Sequence, residues 1–100
     1  MTINFKLNSC NEIEMQLGKT YFVESITQAV NQEFLLVGEE LRLPSQLELM
    51  KIEPLDGEGV IGNVYSIKAK KTGVFELTSS LENMKTGSTL KSKTVKVIVR

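Results

Sequence analysis

The sequence predicts an all-β protein: an immunoglobulin-like antiparallel β-sandwich of seven to eight strands. Three observations carry that expectation. Apolar and polar residues alternate with period two in several short runs, and such alternation marks a strand with one buried face. Glycine, proline and polar turn residues separate those runs at short intervals, the spacing of a sandwich. No stretch keeps the apolar spacing of a long helix. The 100 residues suit one domain, 1–100, and no internal repeat or low-complexity segment divides them.

The clearest stretch runs from Gly57 to Leu81. In Val64–Lys70, Tyr65, Ile67 and Ala69 fall on one face, with Ser66, Lys68 and Lys70 on the other. In Val74–Leu81, Phe75, Leu77 and Leu81 alternate with Glu76, Thr78 and Ser80. Lys71-Thr72-Gly73 lies between the two runs, its glycine free to take the positive φ of a tight turn. The pattern predicts a β-hairpin.

The remaining elements follow in order. Thr2–Leu7 places Ile3, Phe5 and Leu7 on one face, a first strand, and polar Asn8 to Asn11 reads as a turn. Glu12–Leu17 alternates through Ile13, Met15 and Leu17 and is closed by Gly18. Thr20–Ile26 is rich in β-branched and aromatic residues, which favour a covered strand. Thr27–Gln32 is polar and reads as a loop, and Phe34–Val37 as a short inner strand. Gly38 to Ser45 is expected to be a connection, with Glu39, Glu40, Arg42 and Pro44 in it. Leu47–Ile52 alternates less cleanly before Pro54 stops it, and a helical turn around Ser45–Met50 competes with a strand there. Leu55–Asn63 carries three glycines and reads as a flexible loop, as does Glu82–Leu90 around Gly87. Lys93–Arg100 closes the chain as a strand, Val95, Val97 and Val99 facing inward.

Composition removes several functions. Apolar residues make up 41% and charged residues 24%, ordinary for a soluble globular chain that relies on its own core. Twelve basic residues balance twelve acidic ones, so no global field recruits nucleic acid or an anionic membrane. The densest basic cluster, Lys68, Lys70 and Lys71, lacks interleaved aromatics and reads as a solvated strand face. There is no histidine, and Cys10 is the only thiol. One chain therefore cannot build a tetrahedral Cys/His zinc site, a Ser-His or Cys-His pair, or an internal disulfide. The first ten residues alternate instead of forming the apolar core of a signal peptide, and no stretch approaches the roughly 18 apolar residues of a membrane span. A soluble protein is expected, with no cofactor and no metal.

The remaining chemical candidates have simpler explanations. Asp56-Gly57-Glu58-Gly59 superficially suggests a calcium loop, but Val60, Ile61 and Val64 occupy positions that need oxygen ligands. The same glycines precede a strand, whereas a dinucleotide fingerprint opens a helix. Glu12/Glu14, Glu39/Glu40 and Asp56/Glu58 lie in turns or on outer faces and read as solvated charge. Ser79 and Ser80 have no base in reach by sequence, Cys10 reads as a packing residue, and Lys91 and Lys93 read as edge protection before the last strand. An enzyme is not expected.

A rigid sandwich displays loops, and loops on a scaffold are where binding sits. Three are candidates: Thr27–Glu33, Gly57–Asn63 and Glu82–Gly87. The order of features resembles the chagasin family, small immunoglobulin-like inhibitors of papain-type cysteine peptidases. Gly18-Lys19-Thr20-Tyr21-Phe22-Val23 leads into Ala29-Val30-Asn31-Gln32-Glu33-Phe34, followed by Leu43-Pro44-Ser45-Gln46-Leu47-Glu48-Leu49. Gly59-Val60-Ile61-Gly62, the strand Tyr65-Ser66-Ile67-Lys68-Ala69 with Gly73, and Lys93–Val99 complete the order. The resemblance implies occlusion of a peptidase groove by Ala29, Val30, Asn31 and Gln32, by Gly59, Val60, Ile61 and Gly62, and by Glu82, Asn83 and Met84. These loops depart from the family pattern: no NPTTG-type sequence, no adjacent glycines, and Glu82-Asn83-Met84 in place of Arg-Pro-Trp. The alternative is a non-inhibitory immunoglobulin-like module that binds another protein through a sheet face or an edge strand.

Overall fold

The computed structural model describes residues 3–29, 37–55, 60–83 and 87–100, with backbone alone for residues 27–29, 37, 38, 60, 61, 83, 90 and 91. Eight strands are described: β1 (Phe5–Lys6), β2 (Glu12–Met15), β3 (Thr20–Ala29), β4 (Val37–Arg42), β5 (Leu47–Pro54), β6 (Val60–Ala69), β7 (Gly73–Asn83) and β8 (Thr89–Val99). They form two four-stranded sheets, ordered β1-β3-β6-β5 and β2-β8-β7-β4. The immunoglobulin-like β-sandwich expected from the alternation is therefore present.

The core is the sum of the inward positions. Val23 from β3, Tyr65, Ile67 and Ala69 from β6, Leu77 from β7, and Val95, Val97 and Val99 from β8 meet between the sheets. Ile13 and Met15 from β2, Leu47 from β5 and Leu7 complete the layer. Each full burial of a Val, Leu or Ile side chain contributes about 1.5–3 kcal/mol, so the alternating rows fix the register: a one-residue slip would turn a whole row to solvent. Cys10 packs against this core, the role its sequence suggested.

The pairings β3–β6, β5–β6, β4–β7 and β7–β8 are antiparallel, but one edge pairing in each sheet is parallel: β1 with β3 and β2 with β8. The first strand is shorter than Thr2–Leu7 suggested. After Lys6 the chain enters a single 3-10 turn, Leu7–Ser9, with Leu7 buried at the crossing, and continues as β2 in the other sheet. One extended run thus lends an edge strand to both sheets. Asparagine side chains extend its hold on β3: the Phe22 N–H donates to Asn4 Oδ1 at 2.8 Å and the Ile26 N–H to Asn8 Oδ1 at 2.8 Å.

The expected hairpin between Val64 and Leu81 is not one. Its two strands exist, but β6 pairs with β3 and β5 while β7 pairs with β4 and β8. The Lys70–Thr72 turn therefore carries the chain from one sheet to the other. Alternation reports that a strand has one buried face; it does not report which neighbour it bonds. The glycine requirement does hold: Gly73 has φ +139°, and an added Cβ would lie 2.8 Å from Phe75 Cζ.

Four expected loops shrink. Gly38–Arg42 belongs to β4, Thr27–Ala29 extends β3, and Val60–Asn63 opens β6. Glu82 and Asn83 lie at the end of β7, and Lys91 and Lys93 lie within β8. The helical turn around Ser45–Met50 is absent, since a turn at residues 45–46 hands directly to β5. Polar residues are tolerated at these strand ends because one face is solvated and the ladder satisfies the backbone. The expected strand at Phe34–Val37 falls, apart from Val37, outside the described residues.

Candidate functional site

Strand direction brings three connections to one end of the sandwich. Ala29 at the end of β3 pairs with Val60 at the start of β6, and Pro54 at the end of β5 pairs with Asn63. In the second sheet, Asn83 at the end of β7 pairs with Val37 at the start of β4, and Glu82 with Thr89 at the start of β8. The β3–β4, β5–β6 and β7–β8 connections consequently all leave from this end, although they are far apart in sequence.

The candidate residues divide accordingly. Ala29, Val60, Ile61, Gly62, Glu82 and Asn83 are strand residues at that end, not loop residues. Val30, Asn31, Gln32, Gly59 and Met84 lie outside the described residues. Gly62 has a structural duty: a Cβ there would collide with the Ser25 carbonyl oxygen and stand 3.0 Å from both the Ile26 Cα and Leu55 Cδ1. It sits where the β3–β6 register shifts, between Ile26 and Gln28, so only glycine lets the two backbones approach.

Two polar bonds join the sheets beneath this end. The Tyr65 hydroxyl on β6 donates to Glu39 Oε1 on β4 at 2.6 Å and accepts from Asn63 Nδ2 at 3.3 Å. Burial chiefly, then the bond to the Glu39 carboxylate and its charge, push the Tyr65 phenol well above its ordinary range. The hydroxyl therefore stays protonated and keeps donating. Glu39 is thus half-buried and engaged, where sequence suggested solvated charge. The second bond joins the hydroxyls of Ser25 on β3 and Ser79 on β7, 3.1 Å apart and buried.

On the outer face of the second sheet, Glu82 meets Glu40. A hydrogen bond between the two carboxyls, followed by desolvation and like charge, raises the Glu82 pKa above the ordinary carboxylate value, with Arg42 opposing. Arg42 Nε lies 3.4 Å from Glu40 Oε1. Sequence reasoning missed all three contacts. Their available signal was modest: Ser25 and Ser79 occupy inward positions of otherwise apolar alternating runs, where a small polar residue needs a partner.

The architecture has a counterpart among solved structures. It is similar to the crystal structure of the cysteine protease inhibitor EhICP2 from Entamoeba histolytica, with a TM-score of 0.74. The alignment covers 98% of this chain and 95% of the other, at 14% sequence identity. The chain has the fold of a cysteine protease inhibitor. The fold-level resemblance expected from the order of strands and glycines therefore holds. No protein-family model and no curated protein sequence matches the chain. Among the described residues, no helix is long and apolar enough to cross a membrane, and no three His, Cys, Asp or Glu side chains are grouped to hold a metal ion. At this end, three connections leave the sandwich above two inter-sheet bonds.

Proposed function

We propose that the chain inhibits papain-like cysteine peptidases by laying the three connections at one end of the sandwich across the active-site groove. The observation that carries this reading is the convergence of the three connections on a scaffold shared with a known cysteine protease inhibitor. Occlusion needs no chemistry from the inhibitor. It needs a pre-organised edge, because loop ordering on binding subtracts from affinity. Val30 and Asn31 enter the groove, Val60 and Ile61 flank it, and Met84 fills the position of an aromatic anchor with an adaptable apolar side chain. Ala29, Gln32, Gly59, Gly62, Glu82 and Asn83 shape and support the three contacts.

The test is inhibition of papain and of a cathepsin-type peptidase by the purified chain, alongside Val30→Asp and Met84→Asp. Tight, reversible inhibition is expected, weakened at least tenfold by each substitution. A folded chain at micromolar concentration that leaves both peptidases untouched and binds neither would end this reading.

One observation favours a second reading, a module that binds another protein through a sheet edge. β5 is an edge strand of its sheet and exposes Leu49 at 39%, Met50 at 54% and Ile52 at 51%. Contacts mapped to β5 instead of the three connections would select that module.

A further inference from the structure

β2 pairs only with Lys96–Val99 of β8, so the preceding part of β8 has β7 as its one strand neighbour among the described residues. A window between the sheets opens there. It leads to a cavity of about 250 Å³ whose lining includes Leu7, Ser25, Ile26, Ser79, Leu81 and Lys93. The space follows from residue size. At this level Ser25 of one sheet faces Ser79 of the other, where elsewhere Val, Ile and Leu fill the gap.

Three features give the cavity a chemical preference. Leu7, Ile26 and Leu81 supply apolar wall. Ser25 and Ser79 carry two hydroxyl hydrogens between them, and their mutual bond uses one; the second has no acceptor among the described residues. Lys93 is the register partner of Ser79, and opposed residues of an antiparallel pair share a face. Its stem therefore starts on the inner face beside that hydroxyl. It has no carboxylate partner among the described residues. Asn8 is held in place at the cavity wall, because its amide donates one N–H to the Ile26 carbonyl and accepts from the Ile26 N–H.

We propose that this cavity binds a small monocarboxylate with an apolar body, such as a medium-chain fatty acid. The carboxylate accepts from the spare serine hydroxyl and from the Lys93 ammonium, and the chain lies against Leu7, Ile26 and Leu81. A cavity of about 150 Å³ already holds a benzene-sized molecule, so a chain of about seven carbons fits the space. The site lies on the flank of the sandwich and does not depend on peptidase inhibition.

The test is titration of the full chain with heptanoate, heptanol and heptylamine, followed by calorimetry and by amide chemical shifts. Saturable heptanoate binding is expected, with shifts centred on Ser25, Ser79 and Lys93. Lys93→Met preserves the stem and should weaken heptanoate at least tenfold while leaving heptanol unchanged. Ser25→Ala, checked for folding by thermal melting, should weaken heptanoate several-fold. Absence of saturable heptanoate binding, or shifts centred elsewhere, would overturn the proposal. So would equal binding of all three probes, or a Lys93→Met variant that binds heptanoate as well as the parent does.

Discussion

Among the described residues, the two ends of the sandwich show different sets of contacts. At the end carrying the β2–β3, β4–β5 and β6–β7 turns, backbone bonds do the work. Gly18 N donates to Ala69 O at 2.8 Å, Leu17 N to Arg100 O at 3.0 Å, Ala69 N to Lys19 O at 3.1 Å and Lys70 N to Gln46 O at 3.0 Å. Gly18 and Gly73 supply positive φ there. At the opposite end the described contacts include the Leu55 N–H donating to Gly62 O at 3.1 Å, a positive φ at Gly87, the side-chain bonds from Tyr65 to Glu39 and between Ser25 and Ser79, and a close backbone approach at Gly62. Backbone bonds fix turn geometry with little regard to sequence. Side-chain bonds set below the strand ends tie the two sheets to each other and depend on the residues that make them. Under the proposed function, this second end is the one that meets the peptidase.

The sharpest way to break this comparison is a matched pair of glycine substitutions. Gly18 has φ +81° but open space around its Cβ position, so Gly18→Ala should cost about 1–2 kcal/mol, the strain of a left-handed residue. Gly62→Ala forces a methyl group onto the Ser25 carbonyl and should cost about 3 kcal/mol or more, since two inner strands must part. Urea unfolding of both variants checks this. Equal costs would mean that the close approach at Gly62 does not restrain this end of the sandwich.

How much of this was legible in the sequence depends on the kind of contact. Val95, Val97 and Val99 announced an inward row, and Tyr65, Ile67 and Ala69 announced another, because hydrophobic periodicity is local. Pairing is not local. The Lys71-Thr72-Gly73 turn looked like a hairpin because two alternating strands flank it, yet it crosses between sheets. Gly62 looked like loop flexibility because glycine serves both loose and crowded backbone, and only the neighbouring chain tells which. Glu39 looked solvated because its acceptor role depends on Tyr65, 26 residues away. The three connections could be named in advance as loops, whereas their shared end follows from strand direction, which no single segment encodes.

A smaller effect is expected at the inter-sheet bonds. Tyr65→Phe keeps the ring in the core and removes the donor, leaving the Glu39 carboxylate half-buried without that hydrogen bond. Losing a bond to a charged acceptor costs about 1.5–3 kcal/mol. If the bond also stiffens the platform, the variant should lose peptidase inhibition as well as stability. Hydrogen exchange then reports faster opening at the β4 and β6 strand ends than at Gly18 and Lys19. Uniform acceleration at both ends would show that Tyr65 supports the core in general.

The smallest effect belongs to the Glu40–Glu82 contact, and its sign distinguishes a cost from a support. The Glu82 pKa is raised in the folded chain, so folding favours its protonated form. The stabilisation is fully present below the ordinary carboxylate value and is lost as pH rises through the raised one. At about pH 7 the two carboxylates sit as like charges on one sheet face, with Arg42 offsetting part of the repulsion. Glu82→Gln removes one of those charges while keeping the shape, so its melting temperature should exceed that of the parent slightly at about pH 7. At about pH 3, where the parent carboxyl is itself neutral, the two proteins should melt together. A variant less stable than the parent at neutral pH would show that Glu82 supports this end through its negative charge, which would place Arg42, and not Glu40, as its governing neighbour.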